Sequence, residues 1–242
     1  MRLAPLSLLS LSLFTSFTYA AEPPLLKNYQ EPTRGFFLEH GIINPEGKVS
    51  IELQTGSDDF SNGGGIRLGL PNAELIINSG LNGYDVNEAL VKFGLPDLFS
   101  STGKDSSINW AVIGGLANID NETIDQTNIK LGAAITVTAD AGTFTFSPQV
   151  IHINGNRNGG RSDETFFNAG LGAYVGVVDT TSGMFSLGIE ANITTQDNTD
   201  DQFAFGARWA YNERVNIDIV PIILQDQDLT GLPGLVRLNV VF

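Results

Sequence analysis

The sequence predicts an all-β fold, an antiparallel transmembrane β-barrel of about 12 strands, with 10 or 14 strands as the alternatives. Three observations predict it. From residue 47 onward, apolar and polar residues alternate along most of the chain, and two is the side-chain period of a strand. No stretch beyond residue 20 approaches the roughly 18 consecutive apolar residues of a helical span. The connections between apolar runs alternate between short and long, as they do when one rim of a barrel carries tight turns and the other carries loops.

Residues 1–20 read as a secretory signal peptide. Arg2 supplies the positive start, Leu3 to Phe17 the apolar core, and Thr18-Tyr19-Ala20 the small residues before a cleavage point after Ala20. Residues 21–46 are expected to form a periplasmic lead-in or plug segment. Glu22-Pro23-Pro24 and Glu31-Pro32 interrupt regular structure there. The apolar Phe36-Phe37-Leu38 leaves two readings, a short strand up to Ile43 or a segment tucked into the barrel mouth. Residues 47–242 make up the barrel domain.

Within that domain, Val49, Ile51 and Leu53 alternate with Ser50, Glu52 and Gln54. Ile66 and Leu68 flank Arg67; Leu75 and Ile77 follow opposite Glu74 and Asn78, after a tight turn at Pro71-Asn72. Ala89, Val91 and Phe93 oppose Glu88 and Lys92. Trp110, Val112 and Leu116 share a face, as do Ile129, Leu131 and Ala133 opposite Lys130 and Gly132. Phe144 and Phe146 open the next strand. Then come Phe167 to Val177, Phe185 to Ile193, Phe203 to Tyr211, and Val215 to Ile219. Each strand is expected to run about 9–11 residues, the length of a tilted bilayer crossing. Pro148 and Pro221 lack the N–H that a doubly paired strand requires, so each predicts a bulge or a strand end.

The closing strand carries the most specific signal. Val236, Leu238, Val240 and Phe242 fall on one face, and Phe242 is the last residue of the sequence. In this the chain resembles the bacterial outer-membrane β-barrel proteins as a class, across nearly the whole of residues 21–242. The resemblance implies that these four residues are the signal read by the barrel-assembly machinery. It further implies residence in the outer membrane of a Gram-negative bacterium after signal-peptide cleavage, with outer-membrane lipid and lipopolysaccharide as partners. The aromatic residues fit that frame. Trp110, Phe144, Phe185, Trp209 and Tyr211 fall outward at the short-turn end, and Phe167 and Phe203 outward at the other end, as two interfacial girdles would. A soluble β-sandwich also alternates, but accounts for neither girdle.

Composition excludes other classes. The net charge of -14 argues against a nucleic-acid partner, because phosphate contacts need basic clusters. With no Cys in the sequence, a lipid attachment site and a disulfide framework are excluded.

The inward face carries ten charged residues: Glu52, Glu74, Glu88, Glu190 and Asp218 against Arg67, Lys92, Lys130, Arg208 and Arg237. They read either as a cross-lumen salt-bridge network or as the lining of a passage. Gly115, Gly132, Gly170, Gly172, Gly188 and Gly206 also face inward and would leave open volume. The expected function is therefore a narrow, porin-like channel for small polar solutes. The alternative is a non-conducting structural or surface-interaction barrel. Asp120, Glu122, Asp125, Asp197, Asp200 and Asp201 outnumber Arg157 and Arg161 in the longer loops, which predicts a mild cation preference in any conducting state. A lipid-modifying enzyme is less favoured. Outer-membrane phospholipases place a Ser two residues after a His; here His152 is followed by Asn154. The stretch from Asn154 to Gly159 partly mimics a calcium loop but has Thr165 where the twelfth ligand should be Glu. No catalytic residue, metal ligand or cofactor is assigned.

Overall fold

The computed structural model describes residues 33–56, 62–80, 86–95, 106–120, 124–139, 142–157, 160–180, 183–196, 199, 201–212, 214–225, 228–230 and 234–242. The proposed signal peptide, residues 21–32, the long connection after Pro96, and the loop acids Glu122, Asp197 and Asp200 lie outside them.

The alternating segments form the strands β1 (Val49–Gly56), β2 (Gly63–Leu70), β3 (Ala73–Ser79), β4 (Val86–Gly94), β5 (Ser106–Asp120), β6 (Ile124–Ala139) and β7 (Gly142–Arg157). They continue as β8 (Gly160–Thr180), β9 (Gly183–Thr194), β10 (Gln202–Ala210), β11 (Val215–Gln225), β12 (Asp228–Thr230) and β13 (Leu235–Val241). Each strand from β1 to β11 pairs antiparallel with its neighbour in sequence. β13 pairs with both β11 and β1 and closes the ring. The short β12 pairs only with β11, so the barrel has 12 staves. Closure leaves no free edge between the first and last staves. The last residue joins it: Phe242 N donates to Val49 O at 2.8 Å.

The exterior is greasy and the interior charged. Leu131 is 62% exposed and Phe93 55%, whereas Arg67, Glu74 and Lys92 are 0% exposed. A water-soluble domain sorts these residue types the other way. The period-two pattern produces the inversion, because adjacent residues on each stave face opposite sides of the wall.

The staves are not of one length. β3 has 7 residues and β8 has 21, against the uniform 9–11 expected from a simple crossing. The excess lies in β5 to β8, whose hairpins continue past the rim. Residues 154–164, which read as a loop from their Asn, Gly and Asp content, are mostly paired ribbon: Asn154 faces Asp163 and Asn156 faces Arg161. The calcium-loop resemblance therefore falls on strand. At the other end the turns are tight, and Asn72 adopts the left-handed conformation (φ 54°) in the two-residue link from β2 to β3, a conformation Asn tolerates.

The two prolines behave differently. At Pro221 the partners jump from Phe205–Ile222 to Ala207–Ile219, which inserts the extra residue of a bulge and reverses the parity beyond it. At Pro148 the register of β6 with β7 is the same on both sides. Ala133 and Ala134 simply lack ladder partners there, since Pro148 has no N–H to give. Neither a bulge nor a strand end forms, and His152 stays on the outer face. A bulge the sequence did not signal occurs in β8 at Gly176–Val178.

Candidate functional site

The ten inward charges sit where their parity places them; nine are buried and Lys130 is partly so. Eight form four direct pairs, three between neighbouring staves and one, Lys130–Glu88, from β6 past β5 to β4. These are Arg67–Glu52 at 2.8 Å, Lys92–Glu74 at 2.8 Å, Lys130–Glu88 at 2.5 Å and Arg208–Asp218 at 2.6 Å. Pairing is what allows such charges out of water at all, since an isolated buried ion costs several kcal/mol.

Part of the same chain occupies the lumen they line. Residues 33–40 form a tight hairpin inside the barrel, with Arg34 bridged to Glu39, Gly35 N donating to Leu38 O at 2.8 Å and His40 N to Thr33 O at 3.1 Å. Phe36 and His40 are 0% exposed. The chain then runs to the short-turn rim. Gly41 N donates to Thr136 Oγ1 at 2.8 Å, and Asn44 Nδ2 to Ser50 Oγ at 2.7 Å. Of the two expectations for residues 21–46, the described part is a plug.

One side of the plug is held by charge. Arg67 grips Glu39 through two nitrogens, at 2.5 and 2.9 Å. Lys92 Nζ reaches the same carboxylate at 3.1 Å, and Arg34 Nη1 reaches Glu52 at 3.1 Å. The plug thus adds one base and one acid to a lining already balanced. Burial alone pushes the Glu39 carboxyl up, but the Arg67, Lys92 and Arg34 charges outweigh it and hold Glu39 well below the usual carboxylate range.

The other side is held by shape. A side chain at Gly170 would collide with Leu38, and one at Gly206 or Gly188 with the Phe36 ring. The inward glycines therefore do not leave an open passage. Gly170, Gly188 and Gly206 are notches occupied by the plug. Tyr174 lies over the cross-strand Gly188 and meets the Phe36 ring edge-on, 5.5 Å between centroids. An aromatic ring laid over a glycine on the paired strand is a known device for covering bare backbone. Gly132 and Gly115 serve the wall instead, a side chain there meeting Pro148 and Ala89 backbone.

Arg34, Phe36, Glu39, His40 and Tyr174 are the site residues that strand parity did not single out. The signal available was local: an apolar triplet set between Arg34 and Glu39, and a Tyr on the otherwise small inward face of β8.

Phe167, Phe203, Phe144 and Phe185 are exposed. Phe185 stacks on Trp209 at 5.8 Å, and Trp209 meets Tyr211 edge-on. Trp110 is half-buried on the same side. Val236 and Phe242 are exposed, with Leu238 and Val240 half-buried between them. His152 lies on the exterior near the longer rim, Nδ1 2.9 Å from Thr165 Oγ1 and Nε2 3.9 Å from Asp163. Among the described residues, no group of three or more His, Cys, Asp and Glu side chains is placed to hold a metal ion. No known family model matches the chain, and no curated protein matches it either.

Proposed function

We propose that this chain is an outer-membrane β-barrel whose lumen is closed at rest by its own residues 33–44, and that small polar solutes pass only when this plug is withdrawn. The observation that carries the reading is the buried hairpin at residues 33–40, bonded to staves on opposite sides of the ring. A lumen filled in this way favours the non-conducting state over a standing pore. The balanced lining explains why the plug is removable in principle: Arg34 and Glu39 leave together, one charge of each sign. Bilayer residence is supported by the exposed apolar belt, which water would penalise at about 25 cal/mol per Å². The Gram-negative outer membrane, its lipid and lipopolysaccharide, and the assembly machinery as partner rest on the signal-like residues 1–20 and the one-faced apolar run Val236, Leu238, Val240 and Phe242. We assign no catalysis to it.

Planar-bilayer recording tests the reading. The unaltered protein should show no steady conductance. A chain carrying both Arg34→Ala and Glu39→Gln should show frequent openings. A standing conductance in the unaltered protein that these changes leave alone would overturn it.

A further inference from the structure

The four direct ion pairs account for eight of the ten lining charges and leave two over, Glu190 and Arg237. Neither is in direct contact with an oppositely charged described side chain, and Tyr174 OH donates to Glu190 Oε1. Their main partner is the peptide backbone of the plug, and they converge on one residue of it. Glu190 Oε1 accepts from Phe36 N at 2.6 Å, while Arg237 Nη1 donates to Phe36 O at 2.6 Å. Glu190 also takes the amides of Phe37 at 2.7 Å and Leu38 at 3.2 Å. Arg237 keeps a hold on Gln54 at 3.0 Å. The Phe36 ring lies in its own pocket, packed with Tyr174, Ala204, Val220, Ile223 and Leu235, with the Arg208 guanidinium 5.9 Å from its centroid.

An acid aimed at the nitrogen of a residue, a guanidinium aimed at its carbonyl and an apolar pocket for its ring are the three contacts an aromatic α-amino acid requires. Its ammonium and carboxylate hang from the same carbon as the N–H and C=O of Phe36. They would set a full opposite charge against Glu190 and against Arg237 where the plug offers each only a peptide dipole, adding direct ionic attraction to the hydrogen bonds. Burying both charges of the zwitterion against a matching acid and base also avoids leaving any of the four unpaired. We propose that, once the plug is withdrawn, the Phe36 seat is a binding site for a free aromatic α-amino acid, with Glu190 taking the ammonium, Arg237 the carboxylate and the pocket beside Tyr174 the ring. This rests on the plug being removable.

The test uses the full chain carrying Arg34→Ala and Glu39→Gln, with His40→Cys as a reporter. The natural sequence has no Cys, so labelling by a soluble thiol reagent reports withdrawal of the buried residue 40 alone. Heat-modifiable migration on a gel reports folding. If this variant does not fold, Phe36→Ala with Leu38→Ala and the same reporter keeps every ion pair and loosens the plug through shape. L-phenylalanine is then titrated by calorimetry in detergent, against 3-phenylpropanoate, phenethylamine and glycine, each lacking one of the three groups. Phenylalanine should bind saturably, and each comparator about tenfold or more weaker, since a hydrogen bond to a charged group contributes roughly 1.5–3 kcal/mol. Glu190→Gln and Arg237→Met should each lower phenylalanine affinity to a similar degree. Labelling without phenylalanine binding, or equal binding of all four compounds, overturns the site while leaving the removable plug intact. Absence of labelling in both variants overturns the removable plug, and the site with it.

Discussion

The two walls of the lumen hold the same hairpin by opposite means. On β1 to β4, three charged side chains of the lining meet two of the plug, and Arg67 alone faces Glu39, Glu52 and Glu74. On β8 to β10, missing side chains do the work: Gly170, Gly188 and Gly206 admit Leu38 and Phe36, and Glu190, which also accepts from Tyr174 OH, takes the plug by its backbone. The charged wall is specific to what the plug's side chains carry. The glycine wall is specific to volume and to peptide. Each can be broken separately, and the breaks differ in size.

The largest effect is expected at the centre of the charged wall. Arg67→Ala strips one cation from three buried carboxylates, and breaking a buried pair from one side costs about 3–5 kcal/mol. The unfolding free energy of the barrel, followed by denaturant titration in detergent, should fall by that order. Because Glu52 and Glu74 belong to the staves, the loss would strike the barrel as well as the plug. A change near zero would mean that water reaches these groups and that the charged wall is less closed than the burial of Arg67 indicates.

A smaller effect is expected on the glycine wall. Gly188→Val places methyl groups where Tyr174 and Phe36 now lie, and overpacking of this kind costs typically about 1–3 kcal/mol. Here the strain is relieved by expelling the plug rather than by opening the staves. Labelling of a Cys placed at residue 40 should rise sharply while heat-modifiable migration is retained. Loss of the folded band, with no gain in labelling among the surviving barrels, would show that the notch supports the wall and not the plug.

The same contrast explains what was readable in the sequence. Parity alone places Glu52, Arg67, Glu190 and Arg237 inward, because a strand's facing is fixed by its own neighbours two residues away. What fills the space between opposite walls depends on contacts across more than a hundred positions, such as Glu190 with Phe36, and no local period encodes them. A small inward residue is ambiguous for this reason. Gly206 fits an open passage and an occupied notch equally well until the occupant is seen. The ribbon at residues 154–164 failed differently: Asn154 and Gly155 have turn chemistry, yet pairing with β6 and with β8 carries the strand through them.

The smallest effect is expected from acid, and its sign separates the walls. Glu39 is held well below the ordinary carboxylate value of 4.5. A depressed carboxylate stabilises the closed state above its unfolded value, and that contribution is lost as the pH falls through its folded one. The contribution of Glu39 to closure should therefore be flat from neutral pH down to about 4.5 and weaken only below it. Labelling of the Cys at residue 40, measured over that range with a reagent whose reactivity is corrected for pH, should stay low and then climb. In a Glu39→Gln chain it should start higher and lose most of this climb, because the group that titrates in the plug is gone. Salt should change little in either chain, since buried pairs are screened far less than exposed ones. A climb that begins near neutral pH and survives Glu39→Gln would show that a group other than Glu39 sets the acid response, and would reverse the assignment of which wall responds to charge.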